Sequence, residues 1–312
     1  MKKITVICLL NIILLAVWLV LPQSAAAKSP AFRGEVQRSG GANLNGVWGS
    51  SARDVFAVGD GGTILRYDGT SWSAMTSGTS SPLTGIWGSG RNSIFAVGGS
   101  GTILRYDGSS WQGMASGTDA YLRDVWGTSA RDVFAVGSGG TILHYDGTSW
   151  TSMAGGTGGD IGTVWGSSPS NVLATANLPM NLCISLHYDG STWEARNPWS
   201  GDGEGFTPYM ATADIWGTSA RDFFVAGWLG IAHYRNGRWN RDPGSGLPNM
   251  MAVWGNSRRD VFAAGFNGAV AHYDGAWSPL AGVTSVDLRA VWSSRSEVFA
   301  VGEEGTIVRY RR

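Results

Sequence analysis

Apolar and polar positions alternate in short runs along this chain, and the runs recur at a nearly fixed interval. The most regular marker is a Val-Trp or Ile-Trp pair, whose tryptophans are Trp48, Trp87, Trp126, Trp165, Trp216, Trp254 and Trp292. The interval between successive pairs is nearly constant, and only the one from Trp165 to Trp216 is clearly longer. Repeats of roughly 40–45 residues built from short strands are typical of β-propellers with one blade per repeat. The pattern therefore predicts an all-β, seven-bladed β-propeller.

The first repeat contains four short segments with strand character. Residues 44–48 form the predicted inner strand A, residues 54–58 strand B and residues 63–67 strand C, while Trp72 begins the outer strand D. A glycine-rich hairpin separates strands B and C, and the dipeptide Asp68-Gly69 forms a tight turn between strands C and D. Each blade is therefore predicted to be a four-stranded antiparallel sheet.

The seventh repeat lacks an outer strand, because the sequence stops at Arg312 soon after its strand C. Residues 32–37 precede the first strand A and belong to no repeat. Phe32 precedes the inner Trp48 at nearly the same spacing as the outer Trp72 precedes the inner Trp87. We expect this N-terminal segment to be the outer strand of blade 7, which closes the ring and covers exposed strand edges.

Residues 1–27 have the character of a signal peptide. Lys2 and Lys3 precede an apolar run at residues 4–21, and residues 25–27 are alanines suited to cleavage. Cleavage predicts a secreted or periplasmic protein in which residues 28–312 form one domain. The apolar run is also just long enough to span a bilayer, so an N-terminal membrane anchor is the alternative.

The charge balance excludes some classes of partner. The chain has 23 basic and 23 acidic residues, and removal of Lys2 and Lys3 leaves residues 28–312 with a net charge of −2. Both signs are mixed along the chain, so nucleic acid and anionic membrane surfaces are not predicted partners. Cys183 is the only cysteine beyond the signal peptide, so an intramolecular disulfide is excluded. Separately, we expect the protein to be a monomer.

The repeat resembles a known family of propellers. The run A-V-G-x-G-G-T-I-L-x-Y-D-G-x-x-W is similar to that of Asp-box (BNR) propellers, especially photosystem II stability/assembly factors, and the resemblance covers residues 32–312. The segment at 67–72 is tighter than a sialidase-type Asp box and lacks its leading serine. The spacing of glycine, isoleucine and tryptophan within the repeat also resembles that of tectonin-type lectin repeats. These resemblances agree on the fold but imply different ligands, a protein or a glycan.

Most charged residues that recur are predicted to be structural. One set consists of the histidines that precede the strand-C tyrosine, namely His144, His187, His233 and His272. They belong to different blades, too far apart to share a zinc ion at ~2.1 Å. A second set consists of the aspartates after an arginine between strands A and B, namely Asp54, Asp132, Asp222 and Asp260. We expect these to bond the turn backbone. Neither a metal nor a cofactor is predicted.

Catalysis is not the preferred function. A glycosidase needs two carboxylates that face one bond. Asp202 and Glu204 form the only acidic cluster outside the repeat pattern within one irregular loop, and their proximity in sequence is weak support for such a pair. A glycoside hydrolase therefore stays the third alternative, after a protein-binding scaffold and a carbohydrate-binding module.

The candidate site lies where the repeat pattern is interrupted. The extra residues between Trp165 and Trp216 fall in the B–C connection of blade 4 (177–183) and in the following D–A connection (197–212). Both kinds of connection leave the same face of the disc. The predicted partner-binding residues on that face are Trp199, Phe206, Tyr209, Trp228 and Phe266, with Asp202 and Glu204.

We expect these aromatic side chains to bind an envelope or extracellular protein, or alternatively a glycan. Under a competing hypothesis the blade-4 loop folds over its own aromatic residues as a plug. The preferred interpretation is a non-enzymatic scaffold for protein binding or assembly.

Overall fold

The computed structural model describes residues 32–38, 40–178, 182–196, 212–228, 230–241 and 247–312. These residues form seven four-stranded sheets with antiparallel pairing throughout, one sheet for each repeat. The prediction of a seven-bladed propeller is therefore confirmed. The predicted signal peptide, residues 1–27, lies outside the described residues.

The four strands of each blade take the same order from the centre of the disc outwards. Strands A are Leu44–Ser51, Leu83–Gly90, Leu122–Ser129, Asp160–Ser168, Thr212–Ser219, Met250–Ser257 and Leu288–Ser293. Strands B are Asp54–Gly59, Ser93–Gly98, Asp132–Gly137, Asn171–Leu178, Asp222–Gly227, Asp260–Gly265 and Glu297–Gly302. Strands C are Ile64–Tyr67, Ile103–Tyr106, Ile142–Tyr145, Leu182–Tyr188, Gly230–Arg235, Val270–Tyr273 and Ile307–Arg311. Strands D are Trp72–Met75, Trp111–Met114, Trp150–Ser152, Trp193–Arg196, Arg238–Arg241, Trp277–Pro279 and, in blade 7, Arg33–Arg38.

Strand B is buried on both of its faces, because each blade packs against two neighbours. Every residue of Asp54–Gly59 is buried, which explains its continuous apolar run. One face of strand B carries a phenylalanine that packs on aromatic residues of the following blade. The ring of Phe56 lies 5.3 Å from Tyr106 and 6.1 Å from Trp111. The core is thus a series of slots between adjacent blades.

At five of the seven blade interfaces, the inner tryptophan of one blade lies against the glycine that follows the inner tryptophan of the next blade. A Cβ atom added at Gly88 would lie 2.7 Å from the ring of Trp48, closer than any real contact. The same close approach joins Trp87 to Gly127, Trp126 to Gly166, Trp216 to Gly255 and Trp292 to Gly49. Glycine is required here because a side chain would separate the two blades.

The N-terminal segment closes the ring as predicted, with its strand shifted slightly along the chain from the expected 32–37. Strand Arg33–Arg38 pairs antiparallel with Ile307–Arg311. The indole nitrogen of Trp72 in blade 1 donates a hydrogen bond to Gln37 at 2.9 Å, which links the closing strand to the next blade. The edge of strand C in blade 7 is therefore covered.

The insertion in blade 4 is partly strand rather than loop. The prediction placed residues 177–183 in the B–C connection, but Asn177 pairs with Cys183 and Leu178 with Leu182. The extra residues lengthen the hairpin instead of interrupting it. In other blades the hairpin tip is a short 3-10 turn, at Asp60–Gly62, Ser138–Gly140, Phe266–Gly268 and Glu303–Gly305.

Substitution of Gly88 by alanine is predicted to destabilise the ring, because the added methyl would collide with the Trp48 ring. We expect Gly88→Ala to lower the free energy of unfolding by roughly 1–3 kcal/mol, the usual cost of overpacking a core. Gly113→Ala is the matched control, since Gly113 lies in an outer strand with no neighbouring atom within 4 Å of an added Cβ. Urea unfolding followed by tryptophan fluorescence measures both, and equal losses would contradict the contact.

Removal of residues 32–38 is predicted to destabilise the propeller by several kcal/mol, because it uncovers strand C of blade 7. A chain that lacks only residues 1–31 is the control and keeps the closing strand. Thermal unfolding of the two truncated chains makes the comparison. Identical melting temperatures would show that closure does not depend on this strand.

Candidate functional site

The two faces of the disc are formed by different connections between strands. We call the side that bears the B–C and D–A connections the loop face, and the side that bears the A–B and C–D turns the turn face. Residues 60–62 and 76–82 of blade 1 belong to the loop face, and residues 52–53 and 68–71 belong to the turn face. Of the predicted partner-binding residues, Trp228 and Phe266 belong to connections on the loop face.

The loop face exposes large aromatic side chains in three blades. Trp228, at the B–C hairpin of blade 5, is 62% exposed. Phe266, in the B–C connection of blade 6, is half-buried, and its backbone N–H donates to the Asn249 carbonyl at 3.1 Å. Tyr121, at the end of the connection from strand D of blade 2 to strand A of blade 3, is 39% exposed. The other predicted residues, Trp199, Asp202, Glu204, Phe206 and Tyr209, lie outside the described residues.

Tyr121 is a surface residue that the sequence analysis missed. It lies just before strand A, at a position that varies from blade to blade and is tyrosine only in blade 3. The guanidinium of Arg123 lies 5.7 Å from the centre of its ring. Arg123 also pairs with Asp160 of the next blade at 2.8 Å. The presence of tyrosine at this repeat position in one blade only was the sequence signal that could have identified Tyr121.

A ring of polar side chains lies near the start of the strands A, where they line the central channel. Arg289 donates to Asn45 at 2.7 Å and to Glu303 at 2.9 Å. A backbone hydrogen bond from Gly139, followed by the interaction with Arg123, lowers the pKa of Asp160. These groups hold adjacent blades together and give the channel a polar rim of both charge signs.

Two aspartates lie deeper in the channel and bridge adjacent blades. The first, Asp124, accepts hydrogen bonds from the backbone N–H of Val125 and, in blade 4, from Val164 N–H at 2.8 Å and the Thr163 hydroxyl at 3.0 Å. Each of its carboxylate oxygens therefore already has a backbone donor. Asp124 is half-buried and lines the central channel.

The second aspartate, Asp214, forms the same bridge between blades 5 and 6. Its oxygens accept from Ile215 N–H at 2.8 Å and Val253 N–H at 2.9 Å. Burial raises the pKa of Asp124 to about 6. Burial, and then the nearby charge of Asp124, raise the pKa of Asp214 to about 8. A perturbed carboxyl pair in a channel can indicate catalysis, but these oxygens are held by the backbone on both sides.

The turn face carries a repeated side-chain contact between an aspartate of strand B and an arginine or histidine of strand C. His144 lies 2.7 Å from Asp132, and Arg66 bonds Asp54 at 2.8 Å. We expected these aspartates to bond the turn backbone, whereas Asp54 instead accepts from Arg66 and from the hydroxyl of Ser50. The reason is register, because strand B places its first residue near the cation of strand C.

The Asp-Gly turns follow the expected pattern of local hydrogen bonds. Oδ1 of Asp68 accepts the N–H groups of Thr70 at 2.8 Å and Ser71 at 2.9 Å. The same two bonds, that from Ser71 first, lower the pKa of Asp68. The repeated aspartates of the C–D turns therefore stabilise the turn.

Within the described ranges, no group of three or more histidine, cysteine, aspartate or glutamate residues lies in an arrangement that could hold a metal ion. No helix within the same ranges is long and apolar enough to cross a membrane. Cys183 is buried with its sulfur 3.6 Å from the Thr212 hydroxyl, and burial raises the pKa of the thiol.

Comparison with known proteins shows the fold. No family model matches the chain, and no curated protein matches it. Among solved structures, YCF48 bound to D1 peptide is similar with a TM-score of 0.69 and 16% identity, covering 90% of this chain and 97% of that one. YCF48 from Cyanidioschyzon merolae gives a TM-score of 0.68 and 14% identity, covering 89% and 98%.

An enzyme shares the same architecture. A catalytically inactive virginiamycin B lyase from Staphylococcus aureus with quinupristin has a TM-score of 0.72 at 10% identity, covering 90% of this chain and 99% of that chain. At these identities the likeness establishes the shared propeller fold. Since this fold occurs in both a peptide-bound protein and a lyase, function must be argued from the side chains.

The stability of the protein is predicted to fall as the pH rises from about 4 to about 8. The raised pKa of Asp214 means that the folded state holds its proton at a pH where the unfolded chain has lost it, so stability is lost as pH approaches the folded pKa. We expect this fall to be smaller in Asp214→Asn than in the parent by roughly 2–4 kcal/mol.

Urea unfolding at several pH values across the same window measures the slope. Asp119→Asn, a substitution at an exposed aspartate, is the control and keeps the parental slope. A parental slope in Asp214→Asn would show that this carboxyl does not titrate in the stated window.

Proposed function

We propose that the protein is an exported, non-enzymatic propeller that binds an envelope or extracellular protein through its loop face. The observation that carries the proposal is the exposure of the Trp228 indole, 62% of which is accessible at a hairpin tip. A tryptophan held in this way costs solubility unless a partner covers it.

The surroundings of Trp228 favour a protein partner. Trp, Tyr and Arg are the residue types most enriched in the energetic centres of protein interfaces. Within the described ranges, the exposed large apolar side chains are Val36, Tyr121 and Trp228, and the last two lie on the loop face. Arg123 beside Tyr121 adds the third residue type to the same face. The lengthened hairpin of blade 4 lies between blades 3 and 5, which carry these aromatic residues.

A non-enzymatic role is supported by how the acidic groups of the described residues are used. The channel carboxyls of Asp124 and Asp214 accept backbone hydrogen bonds on both oxygens. The aspartates that follow the A–B turns bond the arginine or histidine of strand C, as Asp132 does with His144. General acid and base catalysts need a free oxygen that faces the substrate.

The similarity in fold to a YCF48 structure bound to a peptide is consistent with a peptide or protein ligand. A glycan-binding module of the tectonin kind is the alternative. Such a module would repeat its aromatic platforms from blade to blade. Among the described hairpin tips, aromatic residues occur only at Trp228 and Phe266, and Tyr121 has no aromatic equivalent in the other described D–A connections.

The double substitution Trp228→Ala with Tyr121→Ala is predicted to weaken partner capture. Loss of one residue that contributes strongly to binding typically costs about 2 kcal/mol or more of binding free energy, which corresponds to about thirtyfold in affinity. The immobilised protein is titrated against the solubilised envelope fraction of its own cells, and the retained protein is quantified. The melting temperature should barely change, because both side chains are exposed.

Val36→Ala is the matched control. Val36 is also an exposed apolar residue, 42% accessible, but it lies in the outer strand of blade 7 at the rim of the disc. Capture by this variant should equal that of the parent. Equal capture by all three proteins would refute the loop-face site, and selective retention of glycans on an array would favour the carbohydrate alternative.

A further inference from the structure

The surface that blade 4 presents to blade 5 differs from the corresponding surface of every other blade. One strand-B position holds phenylalanine in six blades, at Phe56, Phe95, Phe134, Phe224, Phe262 and Phe299. In blade 4 the same position is Leu173. Further along strand B, Thr175 replaces valine or alanine, and Ser185 on strand C replaces isoleucine or valine. The register pairs Thr175 with Ser185, so these changes lie on one surface.

The substitution of Leu173 leaves the place of an aromatic ring vacant. In a regular slot such as that of Phe56, the ring packs on the tyrosine and tryptophan of the next blade. Blade 5 retains both partners, as Tyr234 and Trp239. Phe223 stands where other blades have valine or isoleucine and fills part of the gap, with its ring 4.9 Å from that of Tyr234. A cavity of about 250 Å³ remains between the two blades.

A polar group points to the kind of ligand that this cavity takes. The side chain of Thr175 lines the cavity and is 3% exposed, and its hydroxyl has no hydrogen-bond partner among the described residues. A buried hydroxyl without a partner costs free energy, which a ligand with its own hydrogen-bonding group recovers. The remaining walls are mostly apolar or aromatic, and Asn171, His187 and Ala220 lie at the end nearest the turn face.

We infer that the slot between blades 4 and 5 is a binding pocket for a phenol-sized aromatic ring that carries a hydroxyl group. The ring occupies the place of the missing phenylalanine, between Leu173 and the aromatic pair Tyr234 and Trp239. Its hydroxyl bonds that of Thr175. The size is sufficient, since apolar cavities of roughly 150 Å³ already bind benzene.

The same chemistry is presented by a free phenolic molecule or by a tyrosine side chain of a partner. The pocket is separate from the loop-face site, because its polar end lies near the A–B turn of blade 5. The inference therefore does not depend on the proposed function.

The probes are p-cresol, toluene and a pentapeptide with one central tyrosine flanked by glycines. Calorimetric titration of the full chain with p-cresol and toluene tests the pocket. We expect p-cresol to bind about three- to tenfold more tightly than toluene, the ratio given by one added neutral hydrogen bond. Thr175→Val keeps the shape of the side chain and removes the hydroxyl, so the two probes should bind this variant equally. Pentapeptide binding in competition with p-cresol identifies a side-chain ligand, whereas p-cresol binding alone identifies a free molecule.

A second variant fills the pocket. Leu173→Phe combined with Phe223→Val and Val225→Ala restores the residues found in the regular slots, and we expect it to lose p-cresol binding and to melt at a higher temperature. Phe56→Tyr in the regular slot of blade 1 leaves the pocket intact and serves as the control for ligand binding. Failure of the parent to bind p-cresol, or binding that the filled variant and Thr175→Val leave unchanged, overturns the inference.

Discussion

The contact of one blade's inner tryptophan with the next blade's glycine is the constraint on which the rest of the disc depends. It fixes how closely two strands A approach, as between Trp48 and Gly88. The contact runs in the same direction, from one blade to the following one, wherever it occurs. Five of the seven blade interfaces have this contact, including the one that joins the last blade to the first, where Trp292 meets Gly49. Closure then requires one more outer strand, which the N-terminal segment supplies.

The packing between adjacent blades departs from the regular pattern mainly at one interface. Between blades 4 and 5 the strand-B phenylalanine is missing, and Phe223 of blade 5 packs near Trp165 at 6.1 Å between ring centres. The same blades carry the lengthened hairpin and the exposed Trp228. In a repeat protein each unit contacts only its neighbours, so an altered slot is tolerated without propagating around the ring. Departures from the repeat can therefore accumulate in one sector and serve binding there.

The fold was predictable because its signals are local and repeated. Tryptophan spacing indicated the number of blades, and the missing outer strand of blade 7 indicated the role of residues 32–37, whose strand is observed at Arg33–Arg38. The site was less predictable, because its contacts join residues that are distant in sequence. Asp124 bonds the backbone of Val164 in the next blade, and no local pattern marks that bond. Leu173 is visible as a departure from phenylalanine, but the remaining space depends on how far the neighbouring blade moves in to fill it.

The repeated polar residues show why function falls outside the repeat. The recurring carboxylates are satisfied within their own blade or slot, since an unsatisfied buried charge is costly and would be multiplied by the number of repeats. Asp68 meets this requirement through its own turn, and Asp54 through Arg66. The oxygen atoms of these aspartates are therefore occupied by hydrogen bonds within the fold. The recurring indole N–H groups of Trp111, Trp150 and Trp193, by contrast, have no partner among the described residues. Thr175 occurs in one blade only, so the fold can tolerate its unpaired hydroxyl, which is the group that we propose a ligand bonds.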